Sequence, residues 1–241
     1  MVRVGLELGR KRVSAVTGLA TLVDSSDAIL LDFDGPVCSV FAGYPAEEVA
    51  SQLRQFLLDR SVVLPPELSR GRDPLKVLRW VGEYRPGLTR ALDDLLSVAE
   101  ITAVQTATPT RHAHDVILAA DRTRRSVAIV SNNAEAAIIR YLALHGLSTV
   151  VTLVVGRAYA DPARMKPHPD AVVRAVKALG KTAGACLLVG DSVADIKASR
   201  SAGVHPVGYA KTPSRRPLLV EAGAEVVVHD LGDIAAALDA A

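Results

Sequence analysis

Two aspartates separated by a single residue, Asp32 and Asp34, stand directly behind the apolar run Ala28-Ile29-Leu30-Leu31 and just ahead of Gly35. Carboxylates paired in this way can ligate a hard cation, attack an electrophilic centre or carry a proton. A buried parallel strand would hold the apolar run and stop at Asp32. Both acids would then emerge at the strand's carboxyl end, where open α/β sheets place their ligands. Gly35 permits a sharp turn and a close backbone approach at that point. Read alone, an Asp-x-Asp-Gly is equally compatible with a helix cap or an Asx turn. The chemistry therefore depends on what the rest of the chain can bring to the same edge.

Three later segments qualify. Val127-Ala128-Ile129-Val130 ends in small polar residues, Ser131-Asn132-Asn133. The Ser131 hydroxyl can donate to an anion, backed by the N-terminus of a helix expected over Ala134–His145. The plainer reading is that Ser131 or Asn132 caps that helix. In Met165-Lys166-Pro167-His168-Pro169-Asp170, two prolines stiffen a turn that carries Lys166, ahead of a helix that Asp170 can cap. A lysine so fixed is a good counter-charge for a phosphate; surface exposure is the ordinary alternative. Leu187-Leu188-Val189 leads into Gly190-Asp191-Ser192, and Asp195 lies one helical turn beyond Asp191, so both carboxylates can face one side. Asp191 is placed to bind a cation and Asp195 to support it.

These residues need strands to position them. Short apolar runs recur at Ala28–Leu31, Val127–Val130, Val150–Val155, Cys186–Val189, Val204–Tyr209 and Val226–Val228, with helix-like stretches between most of them. That alternation predicts an α/β fold with a Rossmann-like parallel sheet covered on both faces. The stretch 41–106 breaks the pattern. It reads as helices opening at Pro45, at Asp73-Pro74 and near Leu88, with Ile101–Val104 ambiguous between helix and strand. A helical insert at this place suggests a cap (41–106) over a core (25–40 and 107–241), hinged near Ser39–Gly43 and Thr106–Thr110. Residues 1–24 read as an N-terminal extension of unassigned role.

Composition narrows the classes. A formal net charge of +2 is too small to mark a nucleic-acid binder, and the short basic clusters read as solvated surface. Two cysteines, Cys38 and Cys186, make no disulfide framework or zinc spacing, which fits a reducing cytoplasm. No apolar run reaches the ~20 residues of a membrane helix. The six histidines form no metal-ligand spacing either.

On Asp32-Phe33-Asp34-Gly35, Ser131, Lys166-Pro167 and Gly190-Asp191-Ser192-Val193-Ala194-Asp195, the chain resembles the haloacid dehalogenase-like hydrolase superfamily. The likeness spans about residues 27–240, and the position of the insert is similar to the class I cap of phosphoglycolate phosphatase-like members. The resemblance implies a phosphatase acting on a small phosphorylated metabolite. Asp32 would be the nucleophile, forming an aspartyl-phosphate. Asp34 would protonate the leaving oxygen and then activate water. Ser131, Asn132 and Lys166 would bind the phosphoryl oxygens. Mg²⁺ would be held by Asp32, the Asp34 backbone carbonyl and Asp191, with Asp195 assisting. Electrostatics agrees with a cation: like charges ~4 Å apart repel by roughly 4 kcal/mol at an effective dielectric near 20, and Lys166 alone cannot balance four carboxylates and a phosphate.

The second aspartate, absent from dehalogenating members, favours phosphoryl transfer over carbon–halogen cleavage. Pro36 departs from the usual Asp-Gly-Thr and removes a hydroxyl and a backbone donor. A phosphomutase or other phosphoryl transferase is the alternative enzyme, and a binding or regulatory protein on the same scaffold is the non-enzyme alternative. Arg54, Arg72, Lys76, Arg79 and Trp80 are the insert residues that could set specificity. Oligomeric state leaves no mark in the sequence.

Overall fold

The computed structural model describes residues 18–241. The basic and weakly apolar stretch of the N-terminal extension lies mostly outside them. A helix (α1) covers residues 18–24. The remaining strands are β1 (Ala28–Leu31), β2 (Cys38–Ser39), β3 (Thr108–Pro109), β4 (Ser126–Val130), β5 (Leu153–Val155), β6 (Cys186–Gly190), β7 (His205–Tyr209) and β8 (Val226–Val228). The helices are α2 (Ala46–Leu58), α3 (Pro66–Ser69), α4 (Pro74–Tyr84), α5 (Thr89–Ala103), α6 (Ala113–Arg122), α7 (Glu135–Leu144), α8 (Asp170–Ala178), α9 (Val193–Ser201), α10 (Arg216–Ala222) and α11 (Gly232–Ala240).

Six strands form one parallel sheet in the order β5-β4-β1-β6-β7-β8. The expected α/β architecture is therefore present. β1 lies inside the sheet, and all four of its residues are buried, as an apolar strand covered on both faces must be. Its register sets Leu31 beside Ile129 of β4 and beside Val189 of β6. The residues that follow these three strands, Asp32, Ser131 and Asp191, consequently leave the sheet side by side at one edge. Apolar layers cover both faces: Ile29, Leu31, Val127, Ile129 and Val189 join one cluster, and Leu30, Ala128, Val130 and Leu188 the other.

The insert contains α2 to α5. Asp73 caps α4, accepting from the amides of Leu75 and Lys76. Val49, Leu53, Leu57, Val77, Leu78, Leu92 and Leu96 recur at helical spacing and close on one another as a separate apolar cluster. The ambiguous Ile101–Val104 is helical, ending α5 and entering a 3₁₀ turn at Val104–Thr106. β2 and β3 pair antiparallel where the insert leaves and rejoins the sheet-bearing part.

Three local expectations need correction. The strand expected over Val150–Val155 is confined to its last three residues, because Val150 and Val151 bond back to Leu147 in a turn. Asp170 is the first residue of α8 and does not cap it; its carboxylate is taken by Arg164 and Arg174. Neither Ser131 nor Asn132 caps α7, whose N-cap position is Ala134.

Candidate active site

At the sheet edge the side chains of Asp32, Ser131, Lys166 and Asp195 are buried together, and Asp191 is half-buried beside them. Lys166 is the centre of the arrangement. Its ammonium donates to Asp32 Oδ1 (2.8 Å), to Asp195 Oδ1 (2.5 Å) and to the Val130 carbonyl (3.0 Å), which uses all three of its protons. Burial alone would lower the Lys166 pKa, but the carboxylates of Asp195 and Asp32 more than offset it and hold the ammonium well above its usual range. Surface exposure, the ordinary alternative for a lysine on such a turn, does not hold, since this lysine is buried.

Asp32 Oδ1 also accepts from the Phe33 amide at 2.8 Å. Both donors engage that one oxygen, and among the described residues Oδ2 accepts no hydrogen bond. Burial, followed by repulsion from Asp195, pushes the Asp32 carboxyl up to about 7 against the pull of Lys166. Burial and Asp195 likewise raise Asp191 to about 6. Asp34 turns to the accessible mouth of the site. Its Oδ1 accepts from the Val40 amide at 3.0 Å, and desolvation raises its pKa against the pull of that hydrogen bond and of Lys211 and Lys166.

Glycines at two points let the acids approach. Gly35 has φ +127°, and a Cβ there would stand 2.5 Å from Asp191 Cγ. A Cβ on Gly190 would stand 2.2 Å from the Asp195 Cβ. Asp195 is further fixed by a capping box at the start of α9. Its Oδ2 accepts from the Ser192 amide and hydroxyl, while the Ser192 hydroxyl accepts from the Asp195 amide. Carboxylate oxygens of Asp32, Asp191 and Asp195 lie within 4.8 Å of one another, a spacing that fits one hard cation ligated by oxygen. The Asp34 carboxylate is outside that trio.

Asn132 fastens Lys166 from behind. Its Oδ1 accepts from the Lys166 amide (2.8 Å) and its Nδ2 donates to the Lys166 carbonyl (3.2 Å). Arg79 of α4 donates to the same carbonyl at 2.6 Å. Ser131 Oγ donates to Asn133 Oδ1 (3.1 Å) and accepts from the Asn133 amide (3.2 Å).

These groups open into a cavity of about 440 Å³ that the insert lines with Phe41, Arg72, Asp73, Pro74 and Leu75, and the segment after β7 with Arg215. Of the insert residues singled out for specificity, Arg72 reaches this cavity. Arg54 bonds the Gly71 carbonyl, and Trp80 packs on Tyr84. His168 stays outside, accepting from the Asp170 amide at 3.2 Å. Cys38 is buried, and desolvation raises its thiol pKa, so the thiolate is disfavoured.

The family described as haloacid dehalogenase-like hydrolase matches residues 26–203, well over half of the chain. The chain belongs to that family. This haloacid dehalogenase-like hydrolase is 28% identical to a phosphoglycolate phosphatase of Cupriavidus necator, covering 91% of this chain and 96% of that one. It is 28% identical to the pyrophosphatase PpaX of Oceanobacillus iheyensis over 51% of this chain and 56% of that one. In fold it is similar to CbbY from Rhodobacter sphaeroides, solved in complex with phosphate, with a TM-score of 0.66 and 16% identity, covering 89% of this chain and 99% of that one. The expected membership, fold and hydrolase class are thereby met.

Sequence reasoning missed four participants. Asp93, Glu100, Asn133 and Arg157 are buried and polar, and they form a network directly behind Ser131. Asp93 and Glu100 sit seven residues apart on α5, two turns of one face, which was the one available signal.

Proposed function

We propose that this hydrolase is a Mg²⁺-dependent phosphatase acting on a small phosphorylated metabolite, with residues 41–106 as a cap over a core of 25–40 and 107–241. The observation that carries the reading is the single ammonium of Lys166 bound to both Asp32 and Asp195 beside a third carboxylate, Asp191. Such a cluster holds excess negative charge that a divalent cation would balance. Relatives named as phosphatase and pyrophosphatase support the choice of a phosphorylated substrate.

In this reading Asp32 attacks phosphorus through Oδ2, since Oδ1 is held by Lys166 and the Phe33 amide. The P–O bond to the leaving group breaks as the Asp32–phosphorus bond forms, giving an aspartyl-phosphate. Asp34 is placed at the mouth with a raised pKa, which suits it to give a proton to the leaving oxygen and then take one from the water that attacks phosphorus, as the Asp32–phosphorus bond breaks and phosphate is released. Ser131 turns its hydroxyl proton from Asn133 to a phosphoryl oxygen, and Lys166 balances the charge of the transferred group. Asp32, Asp191, the Asp34 backbone carbonyl and, through Asp195, the α9 capping box would hold the cation. When bound, Mg²⁺ would neutralise the acids and orient the phosphoryl group. The insert would close over the cavity about β2 and β3 and exclude bulk water. Two buried thiols and the absence among the described residues of a helix long and apolar enough to cross a membrane suit a cytoplasmic enzyme.

The test is hydrolysis of p-nitrophenyl phosphate with and without added magnesium. Asp32→Asn should fold normally and lose activity by at least ~10³-fold, as removal of a covalent nucleophile does. Undiminished turnover in that variant, or full activity after exhaustive chelation, refutes the assignment.

A further inference from the structure

Behind the site lies a buried ion triad that the reaction above does not use. We propose that Arg157, with Asp93 and Glu100, is a positioning assembly that holds the Ser131–Asn133 loop, and through Asn132 the Lys166 backbone, in the geometry that receives a phosphoryl group. The proposal rests on the phosphatase reading.

Arg157 follows β5 and its guanidinium is enclosed. Nε and Nη2 donate to Asp93 Oδ1 (2.9 and 2.5 Å), and Nη1 donates to both oxygens of Glu100 (3.1 and 3.2 Å). Both acids come from α5, in the insert, and each is 1% exposed. Charges this deep are costly unless every hydrogen-bonding position is used. Asp93 Oδ2 accepts from the Ala160 amide (2.7 Å) and Arg157 Nη2 also donates to Ser97 Oγ (3.2 Å), and the positions that remain are spent on the phosphate loop. Glu100 Oε1 accepts from Asn133 Nδ2 (3.0 Å) and Oε2 accepts from the Ala134 amide at the start of α7 (2.8 Å). Arg157 Nη1 also donates to the Asn132 carbonyl at 2.7 Å, and the Asn133 carbonyl accepts from the Arg157 amide at 2.9 Å.

The consequences run forward to Ser131 and Lys166. Asn133 held by Glu100 presents Oδ1 to the Ser131 hydroxyl, and its amide still donates to Ser131 Oγ when that hydroxyl's proton turns to a phosphoryl oxygen. Asn132, fixed by its carbonyl, uses its side-chain amide to clamp the Lys166 backbone on both sides. A close approach makes this possible: a Cβ on Gly156 would stand 2.5 Å from the Glu135 amide nitrogen and 2.9 Å from the Asn133 carbonyl oxygen. An assembly serving only to glue α5 to the sheet needs the Asp93–Arg157 pair. It has no need to turn Glu100 onto the side chain next to Ser131.

The test is a double-mutant cycle on the full chain with p-nitrophenyl phosphate as substrate and inorganic phosphate as competitive inhibitor. Glu100→Gln keeps the shape and can no longer accept from all its donors. It should lower kcat by about 10²-fold, as a misplacement near 1 Å does, and weaken phosphate inhibition severalfold. In a Ser131→Ala background the same change should cost far less, because it acts through Ser131. Should Glu100→Gln fail to fold, Asn133→Ala takes its place in the cycle, since it cuts the tether and leaves the triad whole. A folded variant with kcat and phosphate inhibition within about threefold of wild type, or costs that simply add in the Ser131→Ala background, overturns the proposal. A wild type that hydrolyses no phosphate ester is a distinct result, which removes the phosphatase reading and this proposal with it.

Discussion

Replacing Lys166 by methionine should destabilise the metal-free protein in a manner that depends on pH. The ammonium is 2% exposed and divides its protons among Asp32, Asp195 and the Val130 carbonyl. Methionine fills nearly the same volume, so little of the cost is a cavity. What remains is two buried carboxylates facing each other without their cation. Removing one partner of such a buried pair costs about 3–5 kcal/mol. At ~2–4 °C per kcal/mol for a chain of this size, the melting temperature should fall by about 6–20 °C. The sign with pH follows from Asp32. Burial and Asp195 hold its carboxyl at about 7 even with Lys166 present, above the 3.8 of an unperturbed aspartate. Between those values the folded state binds more protons than the unfolded state, so stability falls as pH rises. Without the ammonium the carboxyl moves higher still. Lys166→Met should therefore cost most near pH 8 and least near pH 5, where a protonated Asp32 needs no counter-ion. Urea unfolding in excess chelator at both pH values measures this. A loss below about 1 kcal/mol near pH 8, or an equal loss at both, would refute the claim that Lys166 neutralises the acids.

Magnesium binding to the cluster should raise the wild-type melting temperature near neutral pH. A free concentration 100 times the dissociation constant gives ~2.7 kcal/mol, and the gain should disappear in Asp191→Asn. Differential scanning fluorimetry with and without chelator reads it, and an equal gain in the variant counts against Asp191 as a ligand. Gly190→Ala places a Cβ 2.2 Å from the Asp195 Cβ. It should cost about 1–3 kcal/mol as an overpacked site and lower kcat more than KM, because the Asp195 contact to Lys166 moves with it. Denaturation and steady-state kinetics on one preparation check both.

The sheet was legible because burial on both faces forces an unbroken apolar run. Ala28–Leu31, Val127–Val130 and Cys186–Val189 have no polar residue to hide, and each stands where it was expected. Asp32, Ser131 and Asp191 could be placed for the same reason, since each is the first polar residue after such a run. Val150–Val155 failed because its apolar residues serve two purposes. Val150 and Val151 close a turn on Leu147, and only the remainder pairs with β4.

The triad behind Ser131 was illegible for a physical reason. Asp93, Glu100 and Arg157 are residue types that normally face water, so a pattern of apolar periodicity assigns them to the surface. Asp93 and Glu100 even flank the stripe of Leu92, Leu96 and Ala99 that packs the insert's own cluster. Their burial becomes intelligible only when a third charge arrives from the end of β5, a part of the chain more than fifty residues away. A one-dimensional pattern records which face of a helix avoids water. It does not record that a charged face can be satisfied by a partner from another element. Lys166 shows the same effect inside the site: exposure is the reasonable expectation for a lysine on a Pro-flanked turn. Its burial follows from Asp32 and Asp195, which are delivered by β1 and α9 to the one place where its three protons can all be used. Buried charge in this protein is thus a property of converging elements, and it concentrates where three of them end at one edge of the sheet.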